Sequence, residues 1–145
     1  MKKTLSILGI LLLISSGYAF ADENIAVVDL QQIVSNSARV KQLKTEHSNK
    51  MKELGKIIVN ARGEISNEKD PSKVLLLEDK YTKEFNTKKE TLEKDYNSRL
   101  SAIEKNIKDE ITKKAQRDNY DYVFAKSVVL YGGKDITAEI MSSIK

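Results

Sequence analysis

The chain has 145 residues, with 25 Lys and Arg against 21 Asp and Glu, one histidine, no cysteine and no tryptophan. Without cysteine there is neither a disulfide framework nor thiolate chemistry, and a net charge of +4 lacks the strong basic stripe with interleaved aromatics that nucleic acid demands. Charged residues at 32% and aromatics at 6% suit long exposed helices better than a thick globular core.

Lys2 and Lys3 open the chain, an apolar run follows from Leu5 to Ser16, and Ala19-Phe20-Ala21 has the small-x-small form of an export cleavage site. This predicts a signal peptide over 1–21. A retained membrane anchor is the rival reading, although the run is shorter than the roughly 20 residues of a comfortable span. No cysteine follows it, which excludes a bacterial lipoprotein. Cleavage there leaves one domain starting at Asp22. Lys2 and Lys3 carry two of the four net charges, so the rest is only mildly basic.

Ile25 to Leu30 is apolar and rich in β-branched residues, so it reads as a buried strand. Asp29 and Gln32 can form a capping box that opens a helix running to about Asn67. A second helix is expected from Ser72 to roughly Asn119. Asp70 suits its cap and Pro71 its first turn, where a missing N–H costs nothing. Tyr122–Lys126 and Val128–Tyr131 read as two further strands, with Lys126-Ser127 as a link or a bulge and Gly132-Gly133 as the end of the unit. Asp135 can cap a last helix, in which Ile136, Ile140 and Ile144 recur every four residues and face the small sheet.

The apolar positions are mirrored about Pro71. Val74, Leu77, Tyr81, Phe85, Leu92, Tyr96 and Leu100 follow it at helical spacing, and Ile65, Ala61, Ile58, Leu54, His47, Leu43 and Val40 precede it in reverse order. Residues three and four apart share a helix face, so the two helices can double back with Leu54, Ile58, Tyr81 and Phe85 in one seam. The expected fold class is α+β and mostly helical. A long antiparallel α-hairpin over 36–117, with its tip near 68–72, projects from a small β body made of 22–35 and 118–145. So small a body needs more surface to bury, and oligomerisation is the natural source. Gly55 and Gly63 inside the first arm fit either close helix contact or an arm that bends.

One seam cannot use every apolar residue. Val74 to Leu77 are consecutive and step 100° each, so Leu75 and Leu76 are left over near the bend, and Ile57 and Val59 repeat the surplus on the facing arm. Surplus apolar surface of this kind marks a binding face, although scattered surface apolar residues are common. Lys69, Lys73, Lys80 and Lys83 near the bend leave room for peripheral contact with anionic lipid; mixed with Glu68, Asp70, Glu78 and Asp79, they more simply form a solvated face. Catalysis finds no support. His47 falls at a seam position opposite Leu92, no cluster has metal-ligand spacing, and no phosphate loop is present. The chain reads as a non-enzyme without cofactor or metal.

The order of pieces resembles the Skp/OmpH family. The resemblance spans the whole chain after the signal peptide and is sharpest over Ile25–Gln31 and Asp121–Ile140. It implies a periplasmic, ATP-independent holdase chaperone. Such proteins are homotrimers with a small β-barrel body and three hairpin tentacles that enclose unfolded outer-membrane proteins. By the same resemblance Val27, Val28, Val123, Phe124, Val128 and Leu130 would build the shared body, and Ile57, Val59, Leu75 and Leu76 would meet the client toward the tentacle ends. The arms are short and the charge after cleavage is modest, departures that bear on cavity size and on lipopolysaccharide binding. The alternative is an exported coiled-coil scaffold of the cell envelope that uses the hairpin only for reach.

Overall fold

A computed structural model describes residues 23–144; the signal peptide expected over 1–21 lies outside the described residues. In chain order the elements are β1 (Ile25–Val28), α1 (Leu30–Asn36), α2 (Ala38–Asn67), α3 (Pro71–Arg117), β2 (Tyr122–Ala125), a 3-10 turn (Lys126–Val128), β3 (Lys134–Asp135) and α4 (Thr137–Ser143). The fold is α+β and mostly helical, as the apolar patterning predicts.

The three strands lie in the order β2-β1-β3, and both pairings are parallel. Parallel neighbours cannot be joined by a tight turn and need a crossover connection. Between β1 and β2 that connection is the helical hairpin itself. Asn24 closes its root: its backbone N–H donates to Asp121 Oδ2 at 2.8 Å and its carbonyl accepts from the Asp121 N–H at 2.9 Å. Alternate residues of β1 face opposite sides. Ala26 and Val28 enter a core with Ile33, Ile107, Ile136 and Ile140, against which Val123 packs.

The second crossover, from β2 to β3, corrects an expectation. Val128–Tyr131 is not a strand. Residues 126–133 must carry the chain from one side of β1 to the other, so they cross the sheet in place of pairing with it. Gly133, at the end of that crossing, lies against Val27, which is buried although it is not part of the core cluster that Ala26 and Val28 enter. The approach is close: a Cβ on Gly133 would stand 2.8 Å from Val27 Cγ1, and Gly132 and Gly133 both have positive φ, at 90° and 81°. Glycine alone takes that conformation without strain.

The helix expected to run unbroken from Asp29 to Asn67 is two helices. Ser37, in extended conformation, ends α1 and caps α2: its N–H donates to Ile33 O at 3.0 Å and its Oγ accepts from the Val40 N–H at 3.5 Å. The Asp29–Gln32 capping box forms by half. Asp29 Oδ1 accepts from the Gln32 N–H at 2.8 Å, but the Asp29 N–H donates to Thr137 Oγ1 at 2.9 Å. At the far end α3 stops at Arg117, two residues before the expected Asn119, which takes a left-handed φ of 56°. The bend follows the expected chemistry, with Asp70 Oδ1 accepting from the Ser72 N–H at 2.9 Å and Pro71 in the first turn of α3. Glu68 Oε1 adds bonds from the N–H groups of Lys69 and Asp70, at 2.9 and 3.0 Å.

Asp135 ties the body together. Its Oδ1 accepts from both the N–H and Oγ1–H of Thr137, and its Oδ2 accepts from Lys126 Nζ at 2.7 Å. The bond from Lys126, then those from Thr137, hold its carboxyl down from 3.8 to about 2. A folded-state value below the unfolded one contributes stability that is present above about pH 4 and is lost as the pH falls toward 2. An acid titration of body unfolding followed by far-UV circular dichroism therefore shows a stability loss in that window. Asp135→Asn is less stable at neutral pH and has a shallower acid dependence. An equally steep dependence in the variant contradicts the assignment.

Candidate functional site

The arm consists of α2 packed against α3. At about 1.5 Å per residue, 30 and 47 residues make rods of roughly 45 and 70 Å. The half of the arm nearest the body is zipped tightly. Val40, Leu43, Leu54 and Leu92 are buried, and the His47 ring packs on Tyr96 with centroids 4.5 Å apart. One flank carries a charge ladder across the seam: Arg99 Nη1 lies 2.7 Å from Glu46 Oε2 and 3.7 Å from Asp95 Oδ2, and Lys50 Nζ lies 3.8 Å from the same Asp95 oxygen. The Arg99 hydrogen bond, then the one from Gln42, holds the Glu46 carboxyl below its ordinary value.

Beyond Leu54 and Leu92 no side chain is buried as far as the bend. The seam register continues: Tyr81 and Phe85 on α3 and Ile58, Ala61 and Ile65 on α2 border one groove of about 400 Å³. The Glu64 carboxylate faces the Tyr81 hydroxyl and pushes it up to about 12. Yet Tyr81 and Phe85 are only half-buried, and Ile58, expected in the seam beside buried Leu54, is 41% exposed. Two helices with no third element against them cover one stripe each, and the short side chain of Ala61 fills little of the stripe there.

A second groove of about 590 Å³ lies midway along the arm, floored by Leu54, Ile57 and Leu92 and rimmed by Lys50, Lys88 and Asp95. Its origin is legible in the spacing. Seam residues step by three or four on both arms except from His47 to Leu54 and from Phe85 to Leu92, where the step is seven. The skipped rung on α3 is Lys88, which turns aside to pair with Glu84 at 2.7 Å. This groove was not singled out from the sequence, although the doubled step marks it.

The four residues expected to form a binding face stand apart from one another. Ile57 borders both grooves. Val59, Leu75 and Leu76 border neither and project into solvent, 67%, 66% and 69% exposed. The body residues divide in the same way. Val27 and Val28 are buried within the protomer and Val123 packs on its core. Phe124 is exposed and stacks on Tyr122 with centroids 5.9 Å apart. Val128 and Leu130 stand out on the crossover beside Tyr131. Among the described residues no group of His, Cys, Asp or Glu could hold a metal ion, and no helix is long and apolar enough to cross a membrane.

The family model for outer membrane proteins of the OmpH-like kind matches residues 24–144. The chain belongs to the OmpH-like family. No curated protein matches it significantly. Among solved structures it is similar to a Caulobacter crescentus CB15 protein assigned as an OmpH-like outer membrane chaperone. That match has a TM-score of 0.42 and 10% identity over 84% of this chain and 83% of the other.

Gly55 and Gly63 of this OmpH-like arm have open space where a Cβ would stand, so close helix contact does not explain them. Each lowers helix stability by about 1 kcal/mol relative to alanine. Gly55→Ala and Gly63→Ala are therefore expected to stabilise the arm by about 1 kcal/mol each, read as slower amide exchange in the flanking turns. Unchanged or faster exchange contradicts this reading of the two glycines.

Proposed function

We propose that this OmpH-like protein is an ATP-independent holdase chaperone of the periplasm that keeps unfolded outer-membrane proteins from aggregating between its helical arms. The observation that carries the proposal is the outer half of the arm. There Val59, Leu75 and Leu76 stay in water on a helix pair that offers them no core. A rod meant only for reach gains nothing from such side chains and risks self-association. A holdase needs them, because many weak contacts to a mobile chain add up through high local concentration. A surface of scattered apolar groups without a rigid pocket also suits varied clients.

The proposed assembly is a homotrimer joined through the body. Tyr122 and Phe124 present apolar surface on the side of the sheet away from α4, Val128 and Leu130 are exposed on the crossover that follows, and a sheet of two four-residue strands and one two-residue strand buries little by itself. Export to the periplasm follows from the signal peptide read in 1–21. Anionic lipid is a secondary partner of the bend lysines in this reading, limited by the ion pairing of Lys83 with Asp79 at 2.7 Å.

The test is aggregation of a urea-unfolded porin-type protein after dilution, followed by light scattering at one trimer per client. The wild-type protein is expected to suppress the scattering. Leu75→Ser with Leu76→Ser is expected to lose at least half of that suppression while size-exclusion chromatography shows the same oligomer. A wild-type protein that is assembled but inert toward the unfolded client favours the scaffold reading. Full suppression by the double variant moves the client surface away from the tip.

A further inference from the structure

Two grooves lie along the arm, and their rims differ. The charged rim of the mid-arm groove is already committed: Lys50 faces Asp95 at 3.8 Å, Glu53 pairs with Lys56 at 2.8 Å and Lys88 with Glu84 at 2.7 Å. The outer groove is edged by Arg62 on α2 and by Glu78, Thr82 and Asn86 on α3. All four are exposed, and among the described residues none of their side chains makes a hydrogen bond or an ion pair within the chain. Between the two edges lie the apolar Ile58, Ala61 and Phe85, none of them buried.

We propose that the outer groove is a track for a short extended segment of an unfolded chain in which every second residue is apolar. Alternate side chains turn down onto Ile58, Ala61 and Phe85, and the segment's backbone bonds to the free groups on the edges. The inference rests on the holdase reading above and adds which stretch of a client the arm selects. Glu78, Thr82 and Asn86 recur every four residues, about 6 Å apart along α3. Residues on one face of a strand recur about every 6.7 Å. Over these three positions the two repeats drift apart by only about 1.5 Å, so one extended segment can keep step with the rail.

The chemistry of the edges complements a peptide backbone. A chain laid on an apolar floor withdraws N–H and C=O groups from water, and these must find partners. Arg62, a free cation on one edge, offers only donors; Glu78, a free anion on the other, offers only acceptors; Thr82 and Asn86 offer both. An extended backbone presents both kinds of group, whereas a helical segment keeps them bonded to itself. The track runs from 57 to 65 on α2 and from 78 to 86 on α3, roughly 12 Å, which holds about four extended residues with two apolar side chains turned inward. So short a contact is weak by itself, and affinity comes from repetition along the client and among arms. The selected pattern is that of a membrane β-strand, in which apolar and polar residues alternate.

The test uses two peptides of about ten residues and identical composition, one with leucine and threonine in strict alternation, the other with the leucines in one block, both ended by lysines for solubility. Each is titrated into the whole protein labelled with nitrogen-15, and the shifts of the Ala61, Thr82 and Asn86 amides report binding at the groove. The alternating peptide is expected to bind at least about fivefold more tightly than its isomer, the factor that one net hydrogen bond supplies. Thr82→Ala combined with Asn86→Ala replaces two exposed helix residues by the best helix former, so the variant keeps the fold. In it the two peptides are expected to bind within about twofold of each other. Equal binding of the two peptides to the wild type, or none, overturns the track, and so does a preference that survives in the variant. Suppressed client aggregation without a peptide preference leaves the holdase reading standing and the track overturned; a peptide preference without suppression upholds the selectivity of the groove and overturns the holdase reading.

Discussion

Everything distinctive about this molecule depends on the seam between α2 and α3 being a single stripe. In a helical bundle each helix meets two or more neighbours, and apolar residues beyond one stripe find a home. Here there is one neighbour. Side chains on the stripe can be buried, as Val40, Leu43, Leu54 and Leu92 are; side chains one step round the helix cannot. Leu75 and Leu76 therefore stay in water beside half-buried Val74 and Leu77, because four consecutive residues step round the helix and only two can reach the partner. The exposed apolar surface is thus a geometric consequence of placing more apolar residues than a two-helix seam can hold.

The same geometry grades the arm along its length. Near the root the seam is supported by the body, where Ile103, Ile107 and Ile111 of α3 reach the sheet core, and by the ladder from Glu46 through Arg99 and Asp95 to Lys50. Lys114 adds a clasp at the base, pairing with Asp118 at 2.5 Å and with Glu139 of α4. Toward the tip this support is gone, the two in-helix glycines lower the intrinsic helix stability, and no side chain is buried. Local stability follows burial, so stability declines from body to bend. A firm root with an open outer half is the arrangement expected of a protein that must hold its own shape while its surface adapts to others.

Much of this was legible in the sequence, and the missing parts have physical reasons. The mirrored apolar positions set the register of the arm, and Asp70 with Pro71 set the bend, because both are local signals of spacing and cap chemistry. Ile136 and Ile140 declared α4 by the same periodicity. The break at Ser37 was hidden because Ile33 and Val40 are seven residues apart, which in an unbroken helix is one face; nothing in the pattern shows that Ile33 turns to the sheet and Val40 to α3. Val128–Tyr131 misled because β-branched and aromatic residues favour a strand wherever a partner exists. Their place was decided by topology, since β3 pairs with the other edge of β1 and these residues must carry the chain there. Among the candidate site residues, exposure of Val59, Leu75 and Leu76 could be argued from crowding. The mid-arm groove needed the doubled seam step to be read as a gap.

The hairpin's extended, doubled-back shape is open to a direct measurement, because the absence of native cysteine allows clean spin labelling. Labels at Asn60 on α2 and Lys108 on α3, in chains diluted with unlabelled protein, report register and extension together by pulsed electron paramagnetic resonance. The seam register places Asn60 level with Asp79, so the account predicts a separation on the order of 45 Å, the rise of the intervening stretch of α3. A distance near 70 Å would mean that the helices do not fold back, and one under about 30 Å would mean a collapsed globule; either contradicts the account.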